Sequence, residues 1–151
     1  MNADEARWIV DETDPVIYRA AAAEIGLLIG ARKLGYRLAE VGPGQWFCPF
    51  HWHAEEEEVF YVLEGTPTVR LHDGELQCRP GDFIALPTGE RGAHQVGNRS
   101  DRPARLLLLG METANEVAYY PDSRKVGIHR GLLLRTEPAL DYYDGEEQTV
   151  S

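Results

Sequence analysis

The chain has 151 residues, 43% of them hydrophobic and 26% charged, which is the size and composition of one soluble globular domain. Its 25 acidic and 15 basic residues give a formal net charge of −10, and without a cluster of cations to neutralise phosphates we expect no nucleic-acid partner. The start of the chain lacks the basic segment of a secretory signal, and the longest apolar stretch, residues 20–30, is too short to cross a bilayer, so we expect no membrane partner and a cytoplasmic location.

The chain is predicted to form three segments of one domain. Residues 1–32 are interpreted as an N-terminal arm that packs on a β-barrel, and the alanine-rich residues 20–23 within it could also form a short helix. Residues 33–110 are predicted to form the barrel itself. Residues 111–151 are predicted to add further strands and a polar tail.

Strand signals recur at short intervals from residue 33 onward. Asp73-Gly74 is a strong hairpin signal, and Pro-Gly pairs at residues 43–44 and 80–81 mark further turns. The predicted strands are residues 33–41, 59–63, 68–71, 75–78, 83–86, 94–96, 105–109, 126–130 and 132–135. Short strands separated by turns at this spacing predict an all-β sandwich or a closed barrel.

Three of the strongest predicted strands are continuously apolar rather than alternating. Residues 59–63 are Val-Phe-Tyr-Val-Leu, residues 83–86 are Phe-Ile-Ala-Leu, and residues 106–109 are four leucines. Such runs indicate strands that are buried on both faces. One face would fill the barrel, and the arm, the C-terminal segment or a second subunit would cover the other. A homodimer is therefore one hypothesis.

The segment His51-Trp52-His53, which precedes a run of four glutamates, carries the clearest chemical signal. Because side chains alternate along a strand, His51 and His53 share one face and can chelate one ion, while Trp52 points to the other side. Glu58 lies at an odd offset from His53, so a turn or bulge within residues 54–57 is needed to bring it to the same side. The alternative interpretation of the glutamate run is a solvated, charged surface.

A third histidine, His94, follows a turn-rich loop and a second strong strand, where it can approach the first pair. Two histidines and one carboxylate form the facial ligand set that suits non-haem Fe(II), and such a set can also accommodate Mn, Ni or Zn. The expected cofactor is therefore one divalent transition metal (Fe, Mn, Ni or Zn). The sequence contains no Gly-rich phosphate loop, nucleophile elbow or His-Glu-x-x-His motif, so hydrolase and nucleotide-binding functions lose their main support.

The spacing of these residues resembles the first sequence motif of the cupin superfamily. That motif is Gly, about five residues, His-x-His, three or four residues, Glu, six residues and Gly. In this chain Gly44 is followed after six residues by His51 and His53, then after four by Glu58 and after six by Gly65. The one additional residue before His51 falls in a loop.

The second cupin motif follows in the expected order. It consists of Gly, five residues, Pro-x-Gly, two residues, His, three residues and Asn. The matching positions here are Gly81, Pro87, Gly89, His94 and Asn98, with two additional residues in the loop before the histidine. The resemblance covers about residues 33–110, and the chain is also similar to bacterial single-domain cupins that are loosely labelled sugar isomerases.

The resemblance implies the cupin fold, a double-stranded β-helix or jelly-roll barrel, with one metal ion inside it. Glu57 is the main alternative to Glu58 as the carboxylate ligand, and Glu58 is preferred because its distance to Gly65 fits the motif. The ligands that the resemblance implies are His51, His53, Glu58 and His94.

Other residues are weaker candidates for chemistry. The hydroxyl groups of Tyr36 and Tyr61, or the carboxylate of Glu57, could transfer a proton inside the barrel. Packing is an equally good interpretation of both tyrosines. Three residues are interpreted as non-ligands: Cys48, a buried thiol, His72, exposed beside a turn, and His129, a structural residue outside the matched region.

These features predict a metal-binding protein with a small-molecule ligand. We favour a metalloenzyme (an isomerase, lyase or dioxygenase) that acts on a molecule with a carbonyl or carboxylate group, sugar-like compounds included. The alternative is a non-catalytic cupin that binds or senses a small molecule or the metal, because a fold alone does not determine function.

Overall fold

A computed structural model describes residues 2–128 and 131–146, and it is all-β, as the sequence predicts. Helical structure in these residues is limited to one α-helical turn at Gly26–Ile29 and four short 3-10 turns, and no helix among them is long and apolar enough to span a membrane. The strands are β1 (Ala21–Glu24), β2 (Leu34–Val41), β3 (Trp52–His53), β4 (Glu58–Glu64), β5 (Thr68–Leu71), β6 (Gly74–Gln77), β7 (Phe83–Leu86), β8 (His94–Gly97), β9 (Ala104–Met111), β10 (Val117–Tyr120), β11 (Lys125–Ile128) and β12 (Leu132–Arg135).

The described strands pair in antiparallel fashion and form three sheets. The largest has the order β1-β2-β9-β4-β7, and the two smaller sheets have the orders β6-β5-β8 and β12-β11-β10-β3. A backbone bridge between His51 and His94 joins the start of β3 to the start of β8 and so connects the two smaller sheets. The result is the jelly-roll barrel that the sequence predicts.

The hydrophobic core lies between the five-stranded sheet and the three-stranded sheet. Val41, Val62 and Leu106 of the larger sheet are fully buried, and they belong to one cluster with Val69 and Val96 of the smaller sheet. These strands alternate between buried and more exposed positions, so every second side chain enters the barrel. The same alternation determines which polar residues can reach the interior.

The helical interpretation of residues 20–23 is wrong. Ala21–Glu24 forms an edge strand in which Ala22 pairs with Ala39 of β2, and Ile9 bridges to the other side of Ala22. The helix preference of alanine is worth less than about 1 kcal/mol per residue, so the hydrogen bonds offered by a neighbouring strand can override it. Strand β10 is an additional element. Strand β11 covers the described part of the predicted strand at residues 126–130, and residues 129–130 lie outside the described residues.

The apolar runs are not buried on both faces throughout. In β7, Ile84 and Leu86 face the core, whereas Phe83 is 72% exposed. Leu63 in β4 is 45% exposed. The expectation of burial on both faces therefore fails at these positions within the described chain, and a homodimer that would cover them stays a prediction.

Candidate metal centre

Four side chains with the predicted ligand chemistry meet at one end of the barrel. His53 ends β3, Glu58 begins β4 and His94 begins β8, while His51 directly precedes β3. The backbones of His51 and His94 are tied by two hydrogen bonds, with N···O distances of 3.0 and 2.8 Å. Between β3 and β4 the chain bends at residues 54–55 as it passes from one sheet to another. This bend corrects the odd offset of Glu58, as the sequence predicts.

The three imidazole rings are oriented through their Nδ1 atoms. Each Nδ1 atom faces a carbonyl or carboxylate oxygen, which accepts a hydrogen bond, so Nδ1 carries the proton. The Nε2 atom of each ring then keeps its lone pair and can bind an ion inside the barrel. One possible ligand atom from each of the three rings and from Glu58 lies within 4.8 Å of all the others. The Nδ1 contacts are His51 with Pro49 O at 2.9 Å, His53 with Glu116 Oε1 at 3.1 Å and His94 with Gly92 O at 2.9 Å.

Three of the converging atoms are buried and have no hydrogen-bond partner among the described residues: His53 Nε2, His94 Nε2 and Glu58 Oε2. The carboxylate oxygen lies 3.4 Å from His53 Nε2 and 3.2 Å from His94 Nε2. A buried polar atom without a partner costs about 1–3 kcal/mol, so three of them in one place would be expensive in a site that stayed empty. The donor set of imidazole nitrogens and one carboxylate oxygen therefore fits a divalent transition-metal ion.

The electrostatics of the cluster favour the protonation states that metal binding requires at His51 and at Glu58, whereas they favour the protonated form of His53. Burial, together with His94 and His53, lowers the pKa of His51 to about 3. Burial alone would raise the pKa of Glu58, but the imidazoles of His53 and His94 outweigh it and hold that pKa below its usual range. Burial likewise opposes protonation of His53, and Glu58 and Glu116 outweigh it and raise the pKa of this histidine. At neutral pH the cluster thus combines a neutral His51 with an ionised Glu58.

A cavity of about 540 Å³ opens beside the four side chains, and this volume suits a small-molecule ligand. The β10–β12 region forms part of its wall, because Tyr120 and Leu133 line it. The Tyr120 ring stacks on His51 with 5.5 Å between ring centroids. Further lining residues are Tyr36, Arg37, Phe47, Phe60 and Leu108.

The weaker candidates for proton transfer, Tyr36, Glu57 and Tyr61, differ in whether they reach the cavity. Tyr36 lines the cavity, whereas Glu57 is exposed and is absent from its described lining. Tyr61 packs against Phe83 with 4.5 Å between ring centroids, on the outer side of the sheet. Strand alternation explains this placement, because Phe60 and its alternate neighbours point inward. Tyr61 is therefore not positioned to transfer a proton in the cavity. His72 is exposed and takes no part in the described cluster, and His129 lies outside the described residues.

Two buried glutamates near the site were not candidates from the sequence. Glu56 is 7% exposed, and its Oε1 accepts a hydrogen bond of 2.6 Å from Thr113 N. Glu116 is 6% exposed and contacts His53. The interpretation of the whole glutamate run as a solvated surface fails for Glu56 and for the half-buried Glu58. No local pattern marks Glu116, because the pairing of β10 with β3 is what brings it to the site.

Both cysteines are free, and their alkylation in the native apo-protein is expected to be slow. Burial raises the pKa of Cys48 to about 12, and burial together with Asp82 raises the pKa of Cys78 to about 11. Because the thiolate is the nucleophile, these raised pKa values keep the reactive fraction of both thiols small at pH 8. Mass spectrometry after iodoacetamide treatment should show little modification at pH 8 and two modifications after unfolding in guanidinium. Rapid alkylation of native Cys48 would contradict its placement.

The fold is a jelly-roll barrel, in which antiparallel sheets enclose a hydrophobic core. Three histidines and a glutamate converge in it and form a candidate metal centre. Residues 37–110 match the family described as the cupin domain. A solved structure from Silicibacter pomeroyi, a sugar phosphate isomerase from a cupin superfamily, is 27% identical with a TM-score of 0.81, and the match covers 95% of this chain and 97% of that one. Residues 37–110 of the chain therefore form a cupin domain.

Two further comparisons agree with this family. A structure from Acidithiobacillus ferrooxidans is 24% identical with a TM-score of 0.81 over 93% of this chain and 94% of that one, which supports the fold alone. Quercetin 2,3-dioxygenase of Bacillus subtilis is 26% identical over 101 residues, which cover 66% of this chain and 28% of that enzyme. The chain spans less than half the length of the curated relatives that it matches.

Proposed function

We propose that this cupin is a metal-dependent enzyme that acts on a small polar molecule in the barrel cavity. The observation that carries the proposal is the convergence of buried, unpaired Nε2 and Oε2 atoms at one point. The bound ion would be one divalent transition metal (Fe, Mn, Ni or Zn). Its ligands would be His51, His53, Glu58 and His94, whose donor atoms lie within 4.8 Å of one another.

A metal ion at this position supplies a Lewis acid that polarises a carbonyl group or activates a bound molecule. The protein supplies the walls of the cavity and the groups that orient the substrate. Phe47 and Phe60 offer apolar surface, and the Tyr36 hydroxyl is the candidate proton donor among the predicted residues that line the cavity. The reaction class stays open among isomerase, lyase and dioxygenase, since the relatives include both an isomerase and a dioxygenase by name.

The charges of the described lining favour a neutral hydroxy-carbonyl compound as the substrate. Arg37 is the cation among the described lining residues, and it already forms an ion pair with Glu24. The same lining contains the carboxylates of Glu58, Glu112 and Glu116. Away from the proposed ion, a phosphate group would add two negative charges close to these carboxylates and would meet no unpaired described cation.

Replacement of Glu58 by glutamine tests the assignment of the carboxylate ligand. We expect Glu58→Gln to lower the affinity for Zn²⁺ by about 100-fold or more, because it removes the anionic ligand while it keeps the shape of the side chain. The matched control is Glu57→Gln, which changes the neighbouring exposed residue. Zn²⁺ titration of both apo-proteins by calorimetry, and Fe(II) titration under anaerobic conditions, measures the difference.

If both variants lost the same affinity for Zn²⁺, or if neither variant lost any, this assignment would be contradicted.

A turnover screen of the metal-loaded protein then separates an enzyme from a non-catalytic binding protein. The screen should pair free sugars and hydroxy-ketones with their phosphorylated counterparts. Turnover that is absent in Glu58→Gln and normal in Glu57→Gln supports the enzyme, whereas tight metal binding without turnover across the screen supports the binding protein.

A further inference from the structure

Glu116 is a buried carboxylate whose two oxygen atoms are both fully used within the protein. It lies directly before β10 and is 6% exposed. Its Oε1 accepts hydrogen bonds from His53 Nδ1 at 3.1 Å and from Ala54 N at 3.0 Å. Its Oε2 accepts from Glu55 N at 3.1 Å and from Glu56 N at 2.9 Å. Three successive backbone amides and one imidazole therefore converge on a single side chain.

The backbone contacts stabilise the bend that the site requires. The bend that follows His53 turns the chain from β3 toward β4, and this turn is what brings Glu58 to the same side as His53. Ala54 N also donates to Val117 O of β10 at 3.0 Å, so Glu116 shares this amide with the neighbouring strand. Glu116 then accepts from the next two amides, beyond the last residue pair of the β3–β10 ladder. A carboxylate is a strong acceptor for such amides, because the hydrogen bonds to it are charge-assisted.

The imidazole contact determines the tautomer of His53. An ionised carboxylate only accepts hydrogen bonds, so the Nδ1 atom that faces it must carry the proton. The Nε2 atom is then left with its lone pair, and it lies on the side of Glu58, 3.4 Å from Oε2. A metal ion binds this lone pair and not an N–H group.

We propose that Glu116 is a positioning residue of the site: it holds His53 as the Nδ1–H tautomer and fixes the bend between β3 and β4. The proposal rests on the proposed function of the metal site. It means that a residue outside the matched cupin region, residues 37–110, positions a ligand within that region. The link between the two parts of the chain is the β10–β3 pairing, in which Ala118 lies opposite His53.

Glu116 is assigned this role and not that of a ligand in a second metal site. His53, Glu56 and Glu116 also form a close group with donor atoms within 4.8 Å of one another. Each oxygen of Glu116, however, already accepts two hydrogen bonds, and Nδ1 of His53 is one of the donors. A second ion would have to displace these contacts.

The variant Glu116→Gln tests the proposal because glutamine has the same shape and only one accepting oxygen. Its NH₂ group must face either the Nδ1 atom of His53 or the amides of Glu55 and Glu56. We expect the Zn²⁺ affinity to fall about 10- to 100-fold, the usual effect of removing such a partner. We also expect 15N NMR of the apo-protein to show His53 moving from the Nδ1–H toward the Nε2–H tautomer.

Asn98→Ala is the matched structural control. Asn98 is 1% exposed and donates to the backbone carbonyls of Val41 and Arg102, so its loss removes buried hydrogen bonds without a contact to a site histidine. Both variants are expected to have a lower Tm. At a temperature at which both are folded, Asn98→Ala should keep the wild-type Zn²⁺ affinity and the wild-type His53 tautomer.

Wild-type affinity together with an unchanged tautomer in Glu116→Gln would overturn the role of Glu116, while the ligand assignment would stand if Glu58→Gln still lost the metal. If the wild-type protein bound no metal, the proposed function would fail and the tautomer of His53 would still decide the role of Glu116. If Glu116→Gln did not fold, the wild-type apo-protein, measured at a pH high enough to keep His53 neutral, would provide the decision. An Nε2–H tautomer of His53 overturns the proposal, and an Nδ1–H tautomer supports it.

Discussion

The double variant His51→Ala/His53→Ala is expected to lose its metal completely, from about one ion per chain in the wild-type protein to background. The two residues provide half of the four-residue donor set, and their Nδ1 contacts to Pro49 and Glu116 hold both rings in place. The remaining pair, Glu58 and His94, offers too few ligands for a stable site of this type. Elemental mass spectrometry of protein purified without chelators, followed by Zn²⁺ titration of the apo-protein, measures the loss.

His72→Ala is the matched control for this experiment. His72 is exposed beside the β5–β6 turn and does not belong to the cluster, so its removal should leave the metal content unchanged. Circular dichroism should show the same β-sheet spectrum for all three proteins. Near-stoichiometric metal in the double variant would mean that the ion binds elsewhere and would remove the basis of the proposed function.

Substitution of Gly65 by alanine is expected to destabilise the fold strongly. Gly65 has a φ of +76°, and a Cβ atom there would lie 2.6 Å from Pro103 O and 2.8 Å from Ala104 Cα. The positive φ costs an alanine about 1–2 kcal/mol, and forcing a methyl group against backbone atoms adds about 1–3 kcal/mol. We therefore expect Gly65→Ala to lower the free energy of unfolding by about 2–5 kcal/mol.

Gly44→Ala isolates the steric part of this effect. Gly44 has nearly the same φ, +75°, but a Cβ atom there would meet nothing within 4 Å. Only the conformational cost of about 1–2 kcal/mol applies to this variant. Urea unfolding of both variants at equal pH and salt measures their free energies of unfolding. If both variants were destabilised equally, the backbone at the start of β9 would not lie close enough to Gly65 to exclude a methyl group.

The agreement between sequence and structure is greatest where the information is local. His51 and His53 could be assigned to one face from strand alternation alone, and the odd offset of Glu58 required the bend that follows His53. The hairpin at Asp73-Gly74 and the turns between the predicted strands follow from residue types whose backbone preferences act over two to four positions. These elements could be predicted because their causes lie within a few residues.

The disagreements arise where the environment of a residue comes from a distant part of the chain. Ala21–Glu24 has the composition of a helix, but the free edge of β2 makes it a strand. The apolar run of β7 suggested burial on both faces, yet Phe83 packs on that side against Tyr61 of the neighbouring strand and is 72% exposed. Tyr61 faces outward for a related reason, since the register of β4 directs Phe60 and Val62 into the core.

By itself, then, the sequence determined an all-β chain, the turn positions and the residue types able to hold a metal, because strand alternation and turn chemistry are local properties. The tertiary structure decided which of those side chains meet. It placed Glu58 and not the exposed Glu57 in the cluster, and through the pairing of β10 with β3 it brought Glu116 to within 3.1 Å of His53, across 63 positions of the chain. Contacts over such a separation depend on how sheets pair and pack, and no short sequence pattern encodes them.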